Sequence, residues 1–300
     1  MGLYTPIEWC DSTVNPVMGC DGCELWMPST NVRHCYAGQL HQVRAGRPGY
    51  ADRFEEPKPF AGRMAAAARW SDLTGKPRPD KPWLDGLPRL IFVSDMGDAL
   101  SRDVPFDFLL DEVISNVTTS HGARHRWLWL TKQPARMAKF ANWLEEAQGI
   151  GWPANLWAGT SITSAKQKGR ITALRRVPAA VRFVSAEPLL SDPGPLDLDG
   201  IALLILGGES GPDARPCELK ALRSAMGQAR AAGCKVFIKQ VGAVPIPEHP
   251  ADMVGRQIWM WRSRTTLAQR LALNLRDRKG GDPAQWPADL RMRELPAVRP

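Results

Sequence analysis

Six short β-rich runs separated by helix-length stretches constrain this chain more than any other feature. LIFVSDM carries Leu90 into Ser94 and Asp95, RWLWLTK carries Arg126 into Thr131 and Lys132, and NLWAGTSI ends in Thr160 and Ser161. VRFVSAEPL follows with Ser185 and Glu187 at its end, then ALLILGGES with Glu209 and Ser210, then KVFIKQV with Lys239 and Gln240. The stretches between them predict helices over 106–116, 136–148, 165–176 and 218–232. Strands that alternate with helices predict a parallel sheet, because parallel neighbours need a crossover, and uniformly apolar strand bodies predict a sheet covered on both faces. The expected fold is therefore α/β. With an early strand near residues 7–9 it makes a full or partial (β/α) barrel, and a doubly wound open sheet is the rival.

In either architecture ligands collect at the carboxyl ends of the strands, where these polar residues converge. Ser and Asp at such positions also cap helices, so one strand end alone decides little; six in succession point to a site. Glu187 and Glu209 are the most telling, since a carboxylate that finishes a buried strand is costly unless something pairs with it. Residues 71–88, rich in Pro, Gly and charge, read as a connection into the strands. After Gly242 the alternation fades, and the tail carries Arg262, Arg264, Arg270, Arg276, Arg278 and Lys279 with Trp261 and Trp286 among them. Arginine beside aromatic rings suits phosphate contact and base stacking, and a solvated face with docking tryptophans explains the tail nearly as well.

Thirty-nine Lys and Arg against thirty-one Asp and Glu give a net charge of +8. That excess suits a polyanionic partner such as DNA, RNA or a nucleotide, although ordinary solubility charge accounts for it equally. The N-terminal MGLYTPIEWC lacks the basic start and apolar core of a secretory signal, and no apolar run reaches membrane-spanning length. Pro6 stands where a myristoylation signal wants Ser or Thr. The expected location is the cytoplasm, with no membrane partner. In a reducing compartment, six cysteines with three crowded between residues 20 and 35 read as metal ligands rather than disulfides.

Cys20 and Cys23 are separated by two residues, and Cys35 follows after eleven more. A C-x-x-C step lets two thiolates reach one centre from a single turn, and a loop return can deliver a third. Three thiolates leave one iron of a [4Fe–4S] cluster open to the amino and carboxylate groups of S-adenosylmethionine. A zinc ion with His34 or Cys10 as fourth ligand fits the spacing equally, either in a nucleic-acid-binding protein without radical chemistry or in a zinc-dependent hydrolase or deaminase. Cys234, directly before the apolar KVFI run, reads as a small buried hydrophobe, and Cys217 has no assigned role.

Several motifs in one order carry a more specific signal. Asn15-Pro16 before Gly19-Cys20, Cys35-Tyr36-Ala37, WLWLTKQPARM, VRFVSAEPLL, LILGGESGPDARP and FIKQVG together resemble the radical-SAM-like phage gene-product-37/gene-product-68 family of phage and bacterial proteins. The likeness covers most of the chain and extends to the tail, KGGDPAQWPADLRMRELP. It implies a radical S-adenosylmethionine barrel over residues 1–245 with the cluster loop at 15–38, followed by a basic extension over 246–300 packed on that barrel. Cys20, Cys23 and Cys35 would then hold the cluster, with Tyr36 beside it. Ser94, Asp95, Ser161, Glu187 and Glu209 would line the S-adenosylmethionine pocket. Lys132 and Lys239 are the candidate catalytic groups at the substrate, with Arg215 and Gln240 as further contacts, and flavodoxin or ferredoxin would donate electrons. The family commonly places its middle cysteine close to the last, and the general signature is C-x-x-x-C-x-x-C; here the long gap falls between the second and third cysteines, and His34 stands where an aromatic is usual.

Overall fold

The computed structural model describes residues 2–263 and 268–297; Arg264 of the basic tail lies outside them. The protein is a mixed α/β chain whose seven main strands run parallel, each formed by one of the apolar runs except the first. Those strands are β1 (Ser12–Val14), β6 (Leu90–Val93), β7 (Arg126–Thr131), β8 (Leu156–Ser161), β9 (Arg182–Ala186), β10 (Leu203–Gly207) and β12 (Lys235–Gln240), and they are ordered across the sheet as they occur along the chain. A doubly wound sheet reverses its order at a switch point, and this order has no reversal, as in a barrel wound one way. A partial (β/α) barrel is compatible with it.

Two compact units make up the chain, Met1–Thr160 with Ala173–Arg182, and Ser161–Thr172 with Phe183–Pro300. In the first, β1, β6, β7 and β8 pair in turn. All four residues of β6 are buried, as are Trp127, Leu128 and Trp129 of β7, which explains why these runs show no polar alternation. The first strand differs from expectation. Residues 7–9 form no strand, 8 and 9 being a turn, and Ser12, Thr13 and Val14 pair with Ile91, Phe92 and Val93 instead. Trp9 packs its ring on Phe92 at 4.6 Å, so it serves the core rather than the ladder.

The remaining elements of this unit are short pieces and crossover helices. Before β6 come β2 (Val17–Met18), β3 (Trp26–Met27), β4 (Val32–Arg33), α1 (Tyr36–Arg44), β5 (Lys58–Pro59) and α2 (Arg63–Ala68). The helix expected over 106–116 is present as α3 (Phe106–Leu109), a wider π segment over Leu110–Ile114, and α4 (Ser115–Val117). Glu112 within it is buried and accepts from the Gly62 and Met64 backbone N–H groups at 2.8 and 2.7 Å, which caps the start of α2. Helix α5 (Pro134–Gln148) starts two residues earlier than expected because proline suits a first helical turn. It buries Met137, Phe140, Ala141 and Leu144 on one face and ends on Gly149 in the left-handed region.

In the second unit β9, β10 and β12 pair in parallel, with all five residues of β10 buried. Its helices are α7 (Leu219–Ala231), α8 (Pro250–Met253) and the first four residues of α6 (Gly169–Leu174), which is shorter than expected after a 3-10 turn over Ala165–Gln167. The short strands β11 (Cys217–Glu218) and β13 (Pro245–Ile246) pair with each other. Beyond them, β14 (Gln257–Arg262) and β15 (Gln269–Asn274) form an antiparallel hairpin that the fading sequence pattern did not reveal. No helix among the described residues is long and apolar enough to cross a membrane.

Candidate metal centre

The three crowded cysteines all belong to the first unit, and backbone contacts fix the loop that bears them. Strand β2 pairs with β5 and leads into Gly19, whose backbone lies against Gly97 beyond the end of β6. The Asp98 N–H donates to the Gly19 carbonyl at 3.1 Å, and the Cys20 N–H donates to the Phe54 carbonyl at 2.7 Å. A Cβ on Gly97 would sit 2.5 Å from the Gly19 carbonyl oxygen, so only glycine admits this approach. Cys20 is thereby held near the carboxyl end of β6.

The long gap before the third cysteine is a β-hairpin. Strands β3 and β4 pair, joined by a 3-10 turn over Pro28–Thr30 that Asn31 closes in the left-handed conformation at φ 59°. At the base, Cys23 and Trp26 exchange backbone hydrogen bonds of 3.1 and 2.9 Å, and the Leu25 carbonyl accepts from both His34 and Cys35 at 2.8 and 2.9 Å. The excursion therefore returns Cys35 to the neighbourhood of Cys23. Cys35 immediately precedes α1, where free backbone N–H groups favour a negative ligand. Helix α1 packs against Trp26 through Gly38, whose Cβ would fall 2.5 Å from the indole ring. The indole N–H in turn donates to Glu55 at 2.9 Å. A cleft of about 420 Å³ opens beside Cys23, lined also by Asp21, Glu24, Trp26 and Glu55.

Electrostatics tie the cysteines to one cation. Burial would lower the Lys132 amine, but Cys23, Cys35, Glu24 and Cys20 outweigh it and hold the group above its ordinary value. Burial pushes the Cys20 thiol up, Asp98 adding to the rise, and burial likewise raises Cys23 against the opposing pull of Lys132. Asp98 positions this lysine. Its buried carboxylate accepts from the Thr131 hydroxyl at 2.8 Å and from the Lys132 and Leu100 N–H groups at 3.0 Å, while burial raises its own pKa. Sequence reading missed Asp98; its signal was a second carboxylate beyond Gly97 in the same strand end as Asp95. Asp21 was missed as well, and it accepts from the Gln133 amide at 2.7 Å and so links the cysteine loop to the end of β7.

The other candidates at the end of β6 also lie in this unit. Ser94 is buried with φ 76°, a conformation rare for a residue with a side chain, and its hydroxyl has no hydrogen-bond partner among the described residues. The Asp95 carboxylate accepts from the Asn15 amide, whose oxygen accepts from Met96 N–H at 2.8 Å, and burial raises Asp95. The Tyr36 phenol donates to the Asp95 carbonyl. Asn15, seen in sequence only as part of a motif, is thus the brace of this strand end.

Ser161, Glu187, Glu209 and Lys239 belong to the second unit. Glu187 pairs with Lys239, and Arg215 grips Glu209 with two parallel bonds of 2.8 and 2.7 Å. Both carboxylates at strand ends therefore have a cation of this chain as partner, which offsets the burial cost that made them conspicuous. Ser161 is buried, and its carbonyl accepts from Arg170 at 3.0 Å. Gln240 is buried and donates to the Gly208 carbonyl at 2.7 Å. Cys217 and Cys234 are buried thiols, both pushed up to about 12 by burial.

Tetrahedral zinc with Zn–S bonds of about 2.3 Å requires its donors within about 4 Å of one another. No three His, Cys, Asp or Glu side chains among the described residues are grouped to hold a metal ion in that way. Of the two proposed fourth zinc ligands, His34 is exposed and Cys10 is buried near Lys81. Cys20, Cys23 and Cys35 share the Lys132 amine as an electrostatic neighbour.

The parallel strands define an α/β protein. The family described as "Protein of unknown function (DUF5131)" matches residues 4–271, and the chain belongs to it. No curated protein and no solved structure matches.

Proposed function

We propose that this protein is a radical S-adenosylmethionine enzyme of the gene-product-37/gene-product-68 kind that acts on a nucleic-acid base or a nucleotide. The observation that carries the reading is the β-hairpin whose base bonds, Cys23 with Trp26 and Cys35 N–H to the Leu25 carbonyl, return the third cysteine towards the second in the unit that also holds Cys20. These three cysteines would hold a [4Fe–4S] cluster. Such a cluster with S-adenosylmethionine supplies one-electron cleavage of the sulfonium and a 5′-deoxyadenosyl radical able to abstract an unactivated hydrogen.

The chain's own residues do the rest. Lys132 balances thiolate charge, and Asp98 fixes the backbone from which Lys132 projects. Ser94, with its unpaired hydroxyl, and Asp95, braced by Asn15, offer polar contacts for the amino acid or ribose of S-adenosylmethionine. In the second unit, Ser161, Glu209 and the Glu187–Lys239 pair are the candidates for ligand and substrate contact. Flavodoxin or ferredoxin is the proposed electron donor and the cytoplasm the proposed location.

Iron and sulfide analysis after anaerobic reconstitution tests the ligand assignment. Cys20→Ala, Cys23→Ala and Cys35→Ala should each fail to retain the cluster, while Cys10→Ala, Cys217→Ala and Cys234→Ala should retain it. Colourless protein that binds stoichiometric zinc contradicts the proposal.

A further inference from the structure

The β14–β15 hairpin exposes an apolar face. In an antiparallel ladder, residues directly opposite one another share a face. Ile258 opposes Leu273, Met260 opposes Leu271 and Arg262 opposes Gln269, so these six form one face; Trp259, Ala272, Trp261 and Arg270 lie on the other. The second face packs on its own unit through Ala272 and Trp261, with Trp259 left partly exposed. Ala272 is fully buried with Ala214 and Val244, Trp261 packs against the same cluster, and Arg270 pairs with Glu218. On the first face Leu273 is buried, but Ile258, Met260 and Leu271 are 46%, 49% and 43% exposed. An apolar strip on a two-stranded ribbon is a liability unless a partner covers it.

Charge identifies the partner. Between residues 255 and 280 the chain carries seven basic residues and one acidic residue, a concentrated share of its total net charge of +8. Arg262 at the end of β14, and Arg276 and Arg278 just past β15, are exposed and make no ion pair among the described residues. Asp277 accepts from the Lys279 and Gly281 N–H groups at 3.1 and 2.6 Å, which fixes the loop that presents the last two arginines. A two-stranded ribbon fits the major groove of B-form DNA, and aliphatic side chains on such elements contact thymine methyls or wedge between base steps while arginines hold phosphates. A single strand would instead want aromatic platforms, and Trp259, 40% exposed, is the hairpin's most accessible ring.

We infer that the β14–β15 hairpin is a docking element for duplex DNA, with Ile258, Met260 and Leu271 at the bases and Arg262, Arg276 and Arg278 on the backbone. This deepens the proposed function and rests on its reading of the substrate as nucleic acid.

The test is fluorescence anisotropy of a short labelled DNA duplex with the full chain across a salt series, in cluster-free and reconstituted protein. Wild type should bind, with log K falling linearly as log salt rises. The Arg262→Ala, Arg276→Ala, Arg278→Ala triple variant should lower the steepness of that fall by about 0.9 for each phosphate left without its arginine, and the matching Arg→Lys triple should restore it. Met260→Ser with Leu271→Ser should weaken binding at every salt concentration with the slope unchanged. Circular dichroism confirms that each variant is folded. Unchanged affinity and slope in both sets of variants overturn the inference. So does tighter binding of the same sequence as a single strand, binding only to anionic phospholipid vesicles, or a dimer that the Met260→Ser, Leu271→Ser variant dissociates without any effect on DNA. Wild-type protein that forms 5′-deoxyadenosine yet binds no DNA would remove the hairpin assignment alone, whereas DNA binding by a protein that never assembles a cluster would remove the radical chemistry alone.

Discussion

Gly19 and Gly97 meet backbone to backbone, and the contact joins the segment that bears Cys20 to the end of strand β6. A methyl group on Gly97 would face the Gly19 carbonyl oxygen at 2.5 Å, the Gly19 nitrogen at 2.9 Å and the Val17 carbonyl oxygen at 3.0 Å, all backbone atoms that cannot swing aside. Gly97→Ala should therefore destabilise the first unit by about 2 kcal/mol, within the usual range for overpacking, and should reduce iron retention. Gly227→Ala is the control of opposite sign. That glycine lies within α7 with open space around its Cβ position, so alanine should stabilise by up to about 1 kcal/mol. Urea-unfolding midpoints of the two variants check both signs.

Lys132 answers to three cysteines, so its charge should show in the electron affinity of whatever they hold. Lys132→Met should shift the reduction potential of the reconstituted cluster to more negative values, on the order of 60 mV, equivalent to about tenfold in a one-electron equilibrium. Iron content should stay close to wild type, since no ligand is removed. An EPR-monitored redox titration reads the shift, and an unchanged potential would place Lys132 outside the centre's field.

In the second unit Arg223 binds Asp252 at 2.6 Å, Asp289 at 2.7 Å and Glu248 at 3.1 Å. The guanidinium holds the buried Asp252 carboxyl well below the ordinary carboxylate range, and its hydrogen bonds to Asp289 lower that carboxyl too. A carboxylate with a depressed folded pKa contributes stability that is complete above its unfolded value and is lost as pH falls through the folded one. Arg223→Met leaves Asp252 buried without its cation and should cost about 3 kcal/mol at neutral pH. The gap between wild type and variant should hold down to about pH 4 and narrow below it. Chemical denaturation at a series of pH values measures it.

Most of the parallel sheet could be read from sequence because strands such as Leu203–Gly207 are buried on both faces and therefore uniformly apolar. Their polar ends were visible for the same reason, as abrupt changes from apolar to ionisable residues. The return of Cys35 could not be read, since it depends on the left-handed turn at Asn31 and on two bonds to the Leu25 carbonyl, and neither leaves a periodic trace. Asp98 and Glu112 were hidden because each acts by accepting backbone N–H groups from segments distant in the chain. The β14–β15 hairpin was hidden because Ile258, Met260 and Leu271 are apolar residues that face outward.

The radical chemistry itself is tested most directly by product analysis. Anaerobically reconstituted wild-type protein, reduced with dithionite and given S-adenosylmethionine, should release 5′-deoxyadenosine and methionine, and the Cys20→Ala protein should release neither. A wild-type protein that carries its full complement of iron and sulfide yet yields no 5′-deoxyadenosine would contradict the account.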